Sequence, residues 1–96
     1  MTIQLRRYSI AVGEMDDWVA EWSAKIRPPR QHGFAVLGAW VVAGTDEFIW
    51  LLGYDGPLSW EDADAAYYAS PQRTTLDPDP ARHIAQARKD FAQVVA

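Results

Sequence analysis

The chain contains no cysteine. That absence excludes a disulfide framework, a zinc–thiolate site and catalysis by a thiol. Histidine is scarce as well: His32 and His83 are the two present. They lack the i, i+4 spacing with which a helix presents a metal-binding pair, so no metal is expected. Basic residues are outnumbered, nine Lys and Arg against thirteen Asp and Glu, which leaves a formal charge of −4. The densest basic stretch, Arg27 to Arg30, is interrupted by Pro28 and Pro29. Nucleic acid requires a far denser cationic surface and is not an expected partner. No apolar run approaches the ~20 residues that span a bilayer, so no membrane partner is expected. The opening MTIQLRRYSI has neither the apolar stretch nor the small-residue cleavage site of a signal peptide, which makes a cytoplasmic location the expectation. No Gly-rich phosphate loop or nucleophile elbow is found, and no cofactor is expected.

What the chain has in abundance is aromatic surface: five Trp, four Tyr and three Phe in 96 residues. With 49% of its residues hydrophobic, it can build one core, and its length allows one domain, residues 1–96. Residues 3–10 read as a strand, with Ile3 and Leu5 on one face and Tyr8 and Ile10 on the other. Met15, Trp18, Val19, Trp22 and Ile26 then recur as one apolar stripe at helical period. Asp16 and Asp17 lie in that helix's first turn, and Pro28-Pro29 predicts its end by about Arg27.

The stretch Phe34 to Asp55 predicts two strands joined at the polar turn Gly44-Thr45-Asp46-Glu47. Strict alternation puts Phe34, Val36, Gly38, Trp40 and Val42 on one face of the first arm. In the second arm Phe48, Trp50, Leu52 and Tyr54 oppose Ile49, Leu51 and Gly53. Neither arm has a polar face, so both faces require cover. Ser59 is a good N-cap for a second helix, whose buried stripe includes Trp60, Ala63 and Tyr67 and which ends at Pro71. The tail beyond Ala81 fits a helix by periodicity through Ile84, Ala87, Phe91 and Val94. Topology points the other way. The chain repeats strand–helix–strand twice, and β-α-β-β-α-β needs the tail from Ile84 as its fourth strand. The expected fold class is therefore α+β and ferredoxin-like, a four-stranded antiparallel sheet with helices on one face.

The run Gly33-Phe34 through Gly38-Ala39-Trp40, then Phe48-Ile49-Trp50-Leu51 and Tyr54, resembles the NIPSNAP family of dimeric α/β-barrel proteins. So do Tyr8 to Gly13, and Trp60 through Tyr67-Tyr68, Ser70-Pro71 and Arg73. The resemblance covers most of the chain and is carried by structural residues more than catalytic ones. Where the family usually shows Pro-Gly this chain has Val12-Gly13, a departure that touches only a turn. The resemblance implies a ferredoxin-like protomer, a two-fold homodimer forming a dimeric α/β barrel, and a tail from Ile84 to Val95 that is the last strand. It implies no settled activity, because the wider superfamily mixes monooxygenases, cyclases, isomerases, haem-degrading enzymes and non-enzymatic binders.

An apolar sheet face left bare by the helices predicts the same homodimer, sheet against sheet. Trp40, Trp50 and Tyr54 share parity within their arms and form a candidate ligand-binding wall for a planar, apolar molecule; core packing is the alternative role. His32, at the helix-to-strand junction, is a candidate general base, or else a capping or surface residue. Tyr67, Tyr68 and Arg73 form the other candidate catalytic constellation, with Asp64 or Arg73 as partner for a buried phenol and aromatic packing as the alternative. Asp55 and Asp64 are possible bases. The expected function is binding of a small aromatic or apolar molecule by a NIPSNAP-like homodimer. The alternatives are a cofactor-independent monooxygenase, cyclase or isomerase acting on an aromatic or polyketide-like substrate, and a purely structural dimer module.

Overall fold

A computed structural model describes residues 1–96. Strand β1 (Thr2–Ile10) leads into helix α1 (Met15–Glu21), a π-helical segment (Trp22–Ile26) and the short helix α2 (Arg27–Arg30). Strands β2 (Ala35–Val41) and β3 (Glu47–Tyr54) form the hairpin. Helix α3 (Trp60–Ala69) and the one-turn α4 (Pro71–Thr74) follow, then a 3₁₀ turn (Pro80–His83) and strand β4 (Ile84–Ala92). All pairings are antiparallel and the strand order is β2-β3-β1-β4, the ferredoxin-like arrangement. The Cα envelope measures 39 × 36 × 19 Å, and its thin dimension matches one sheet and a single layer of helices.

The first helical stretch runs three residues past its expected end, and the reason is local. Neither Pro28 nor Pro29 can donate a backbone hydrogen bond, so a regular α-helix would fail there. Instead the chain widens to π geometry, and the Arg27 amide reaches back to the Trp22 carbonyl. The prolines then occupy the opening positions of α2, where no amide is needed. Widening also corrects the phase. Trp18, Trp22, Ile26 and Arg30 recur every four residues, and four residues of α-helix overshoot a full turn by about 40°. Over three steps that would rotate Arg30 by about 120° from Trp18. The wider turns take the drift back, and all four side chains are buried.

Strand β2 departs from strict alternation. Val36 pairs with Leu52, but Gly38 pairs with Leu51, so Leu37 is the extra residue of a β-bulge. Past the bulge every side chain changes face. Ala39 now lies with Trp50 toward the helices, and Trp40 lies opposite Ile49 on the uncovered side. The core is a chain of edge-to-face aromatics: Tyr8 with Trp18, Trp22 with Phe48 and Trp50, and Phe34 with Trp60.

The tail is a strand, as topology required and periodicity did not. Its periodicity misled because β4 is an edge strand that is exposed along almost its whole length. Ile84 packs against the core at its start, and Phe91, itself 58% exposed, reaches Trp60 at 5.5 Å between centroids. The strand ends at Ala92, short of Val94 and Val95.

The start of β4 is held to α1 by ion pairs. His83 is buried, with Nδ1 2.6 Å from Glu14 Oε1 and Nε2 2.6 Å from Glu21 Oε2. Both ring nitrogens face carboxylates, an arrangement that favours the doubly protonated cation. Arg82 donates to both oxygens of Glu21, at 2.7 and 3.0 Å. The hydrogen bonds to Glu21 and Glu14 raise the His83 pKa above its ordinary 6.5. Those from Arg82 and His83 hold Glu21 down to about 2. A raised imidazole pKa means that this contribution to stability is complete below pH 6.5 and fades as pH climbs through the folded value. On the acid side the Glu21 contribution begins to be lost as pH drops below 4.5 and is gone near 2. Thermal melting followed by circular dichroism from pH 5 to 9 should show Tm declining on the alkaline side, and His83→Gln should flatten that decline. A wild-type decline unaltered in His83→Gln would show that the latch is not its source.

Candidate functional site

Gln4, Arg6, Tyr8 and Ile10 of β1 all face the helices. A charged residue in that row is unusual, and Arg6 is completely buried. Its Nε donates to Gln4 Oε1 at 2.8 Å, its Nη1 to the Tyr68 hydroxyl at 3.1 Å and its Nη2 to Asp64 Oδ1 at 3.1 Å. Arg30, 1% exposed, donates through Nη2 to the same Asp64 oxygen. Two buried guanidiniums therefore converge on one carboxylate. Arg30 is also stacked between aromatic rings, 4.4 Å from the centroid of Phe34 and 4.0 Å from that of Tyr67. Its Nε and Nη1 have no hydrogen-bond partner, and neither has the hydroxyl of Tyr67.

Two cavities meet at Arg30 and Tyr67. The inner one, about 90 Å³, lies between sheet and helices against Arg6, Tyr8, Trp50, Tyr68 and Arg73. The outer one is a groove of about 320 Å³, floored by Phe34 and Tyr54 and rimmed by His32, Leu58, Ala66, Ser70 and Gln72. Burial lowers the Arg30 pKa, and the neighbouring Arg6 charge lowers it further against the pull of Asp64. Burial raises the Tyr67 phenol, against the opposing charges of Arg30 and Arg73, so it holds its proton at neutral pH.

The sequence-derived candidates divide between these places. Tyr67, Tyr68 and Arg73 do come together, all on the inner cavity. Asp64 does not pair with the Tyr67 phenol, since the two arginines take it. Arg73 instead pairs with Asp79 at 2.9 Å. His32 is exposed on the rim of the groove and does not line the inner cavity. Asp55 is at the surface, 3.3 Å from the chain's N-terminal amine.

The three-membered aromatic wall is not formed. Trp50 lines the inner cavity and Tyr54 the groove, whereas the Leu37 bulge turns Trp40 to the opposite face, where it is 52% exposed over Gly38. The central members of the site, Arg6 and Arg30, are not marked by any sequence motif. A signal for Arg6 existed, because its parity places it between Gln4 and Tyr8 on the face that carries Ile10.

No group of three or more His, Cys, Asp or Glu side chains is placed to hold a metal ion, and no helix is long and apolar enough to cross a membrane.

The fold and its cavities define a class: a ferredoxin-like α+β protein with a pocket enclosed between the sheet and its helices. Within that class the chain belongs to the NIPSNAP family, whose model matches residues 3–96. The structure is similar to that of an uncharacterised NIPSNAP domain protein from Burkholderia xenovorans, with a TM-score of 0.86 at 15% identity, covering 100% of this chain and 96% of that one. A NIPSNAP family protein from Agrobacterium tumefaciens aligns with a TM-score of 0.81 at 14% identity, covering 98% and 85%. An antibiotic biosynthesis monooxygenase aligns with a TM-score of 0.72 at 15% identity and full coverage of both chains. At such identities these structures establish the shared fold. No curated protein is similar in sequence.

Trp50 and Trp40 should respond oppositely to truncation. Trp50→Ala removes a ring that is 2% exposed and should cost about 3 kcal/mol or more in urea denaturation. Trp40→Ala removes a ring that is 52% exposed and should stay within about 1 kcal/mol.

Proposed function

We propose that this protein is a homodimer that binds a small aromatic or apolar molecule in the groove beside α3. The observation that carries this reading is the groove itself: about 320 Å³ with an aromatic floor, opening beside a cavity that holds unpaired polar groups. That volume lies at the lower end of ordinary small-molecule sites, and an apolar wall with a few convergent polar atoms is their usual lining. A purely structural module would fill this space with side chains.

The dimer is supported by the uncovered sheet face. Ile3, Leu5, Ile49 and Leu51 are half-buried there, and Leu37 and Trp40 are exposed beside them. The apolar part spans β2, β3 and β1. The face turns polar along β4, where Arg88 pairs with Asp90, and at the hairpin-turn end of β3, where Glu47 pairs with Arg7 of β1. An apolar patch rimmed by ion pairs has the layout of an interface.

A second reading, in which the site turns its ligand over, is favoured by Tyr67. A protonated, unpaired phenol beside a buried guanidinium can give its proton to an oxyanion developing on a substrate. This suits a monooxygenase, cyclase or isomerase acting on an aromatic compound. Under that reading Tyr67→Phe should lower turnover by far more than it weakens binding.

Two measurements test the main reading. Light scattering at micromolar concentration should give twice the 10.8 kDa protomer mass, and Leu5→Glu should return it to one; a monomeric wild type would refute the dimer. Titration calorimetry with 2-naphthylmethanol, a neutral planar probe, should detect binding that Ala66→Trp abolishes by filling the groove from an exposed helical position. Binding that survives in the Ala66→Trp protein would place the ligand elsewhere.

A further inference from the structure

The chain as a whole is acidic, with thirteen carboxylates against nine basic side chains. The walls of the two cavities that meet at Arg30 reverse that balance. Three arginines line the inner cavity, Arg6, Arg30 and Arg73, and no Asp or Glu does. Arg30 and His32 line the groove, again without a carboxylate. Asp64 stands behind the inner wall and offsets only one of the two buried guanidiniums that it bridges. Arg73 has its own partner, Asp79, on the solvent side. One positive charge among the buried groups is left unbalanced.

Arg30 carries that excess. Its Nη2 is committed to Asp64, while Nε and Nη1 are buried donors with no acceptor. Nη1 lies on the Cδ side of the guanidinium, away from the Nε hydrogen, and its two N–H groups are free to donate to an anionic oxygen. The Tyr67 hydroxyl, likewise buried and unpaired, lies on the same partition between the cavities. Leaving such donors unmet is costly, and an anion that meets them would be favoured over a neutral group of equal shape.

We infer that the ligand of this site is an anion, an aromatic or apolar body carrying one carboxylate or enolate group, with Arg30 Nη1 and the Tyr67 hydroxyl donating to the charged oxygens. The inference rests on the groove reading above and adds the charge and orientation of what binds there. The sizes of the two spaces agree with it. A dry cavity of ~150 Å³ is what one benzene ring requires, so the inner cavity of about 90 Å³ is too small for a ring and large enough for a carboxylate. The ring system belongs in the groove, over Phe34 and Tyr54, with its acidic group pointing inward past Arg30.

The test compares two probes of the same shape on the full-length protein by titration calorimetry at pH 7: 2-naphthoate, ionised at that pH, and 2-naphthylmethanol, which is neutral. The wild type should bind naphthoate at least tenfold more tightly, and Arg30→Met should remove the preference while retaining affinity for the alcohol. Equal affinities in the wild type would overturn the anion assignment and leave the groove reading standing. Failure of both probes to bind would bring down the groove reading and the inference with it. A preference that persists in Arg30→Met would overturn the assignment to Arg30. Should that variant not fold, Arg30→Lys serves instead, since it keeps the charge and loses the Nη1 donor. Its preference should fall several-fold, and an unchanged preference would count against the assignment.

Discussion

The structure depends on one carboxylate held between two buried guanidiniums. Arg6 comes from the central strand β1, Arg30 from the end of the first helical stretch and Asp64 from α3. The triad therefore ties the sheet to both helical segments at once. Burying two like charges on a single counter-ion is a poor way to gain stability, and apolar residues of similar size would pack there at lower cost. Such an arrangement gives fixed geometry and an unspent charge. The edge-to-face aromatics around it supply the cohesion that lets the fold carry this burden.

Much of the architecture was legible from residue patterns. The Trp18–Trp22–Ile26 stripe, the polar hairpin turn at Gly44 and the Ser59 cap each specify local structure through short-range physics. Ser59 Oγ accepts from the Asp62 amide as a cap should, and Gly44 takes a positive φ of 77°. The fourth strand was legible only through topology, since an exposed edge strand has no buried face to impose a period of two. The Leu37 bulge was not legible at all. Alternation along Phe34 to Val42 is apolar on both faces, so nothing in the residue types marks where the phase changes. That single unseen residue separated Trp40 from Trp50 and Tyr54.

The site was legible by halves for a related reason. Tyr67, Tyr68 and Arg73 lie within seven residues on one helix and the turn after it, where spacing alone predicts proximity. Arg6, Arg30 and Asp64 are brought together across 24 to 58 residues of sequence by the fold. A pattern search sees Arg30 as the end of a small basic stretch, and only the packed structure shows it desolvated between Phe34 and Tyr67. The family relationship fixes the scaffold and leaves this constellation to be read from the chain itself.

The π-helical segment has a consequence for how such a site can change over evolutionary time. Its single surplus residue acts as an angular adjustment placed between the core tryptophans and Arg30. Substitutions that closed Trp22–Ile26 into ordinary α geometry with every residue retained would leave Trp18 in its seat and swing Arg30 by about 120°. The pocket would lose Arg30 without any pocket residue having been substituted. Removing one residue at the same time would restore the phase, because eleven residues of α-helix complete three turns to within about 20°. At this one place the winding of a helix is part of the binding specificity.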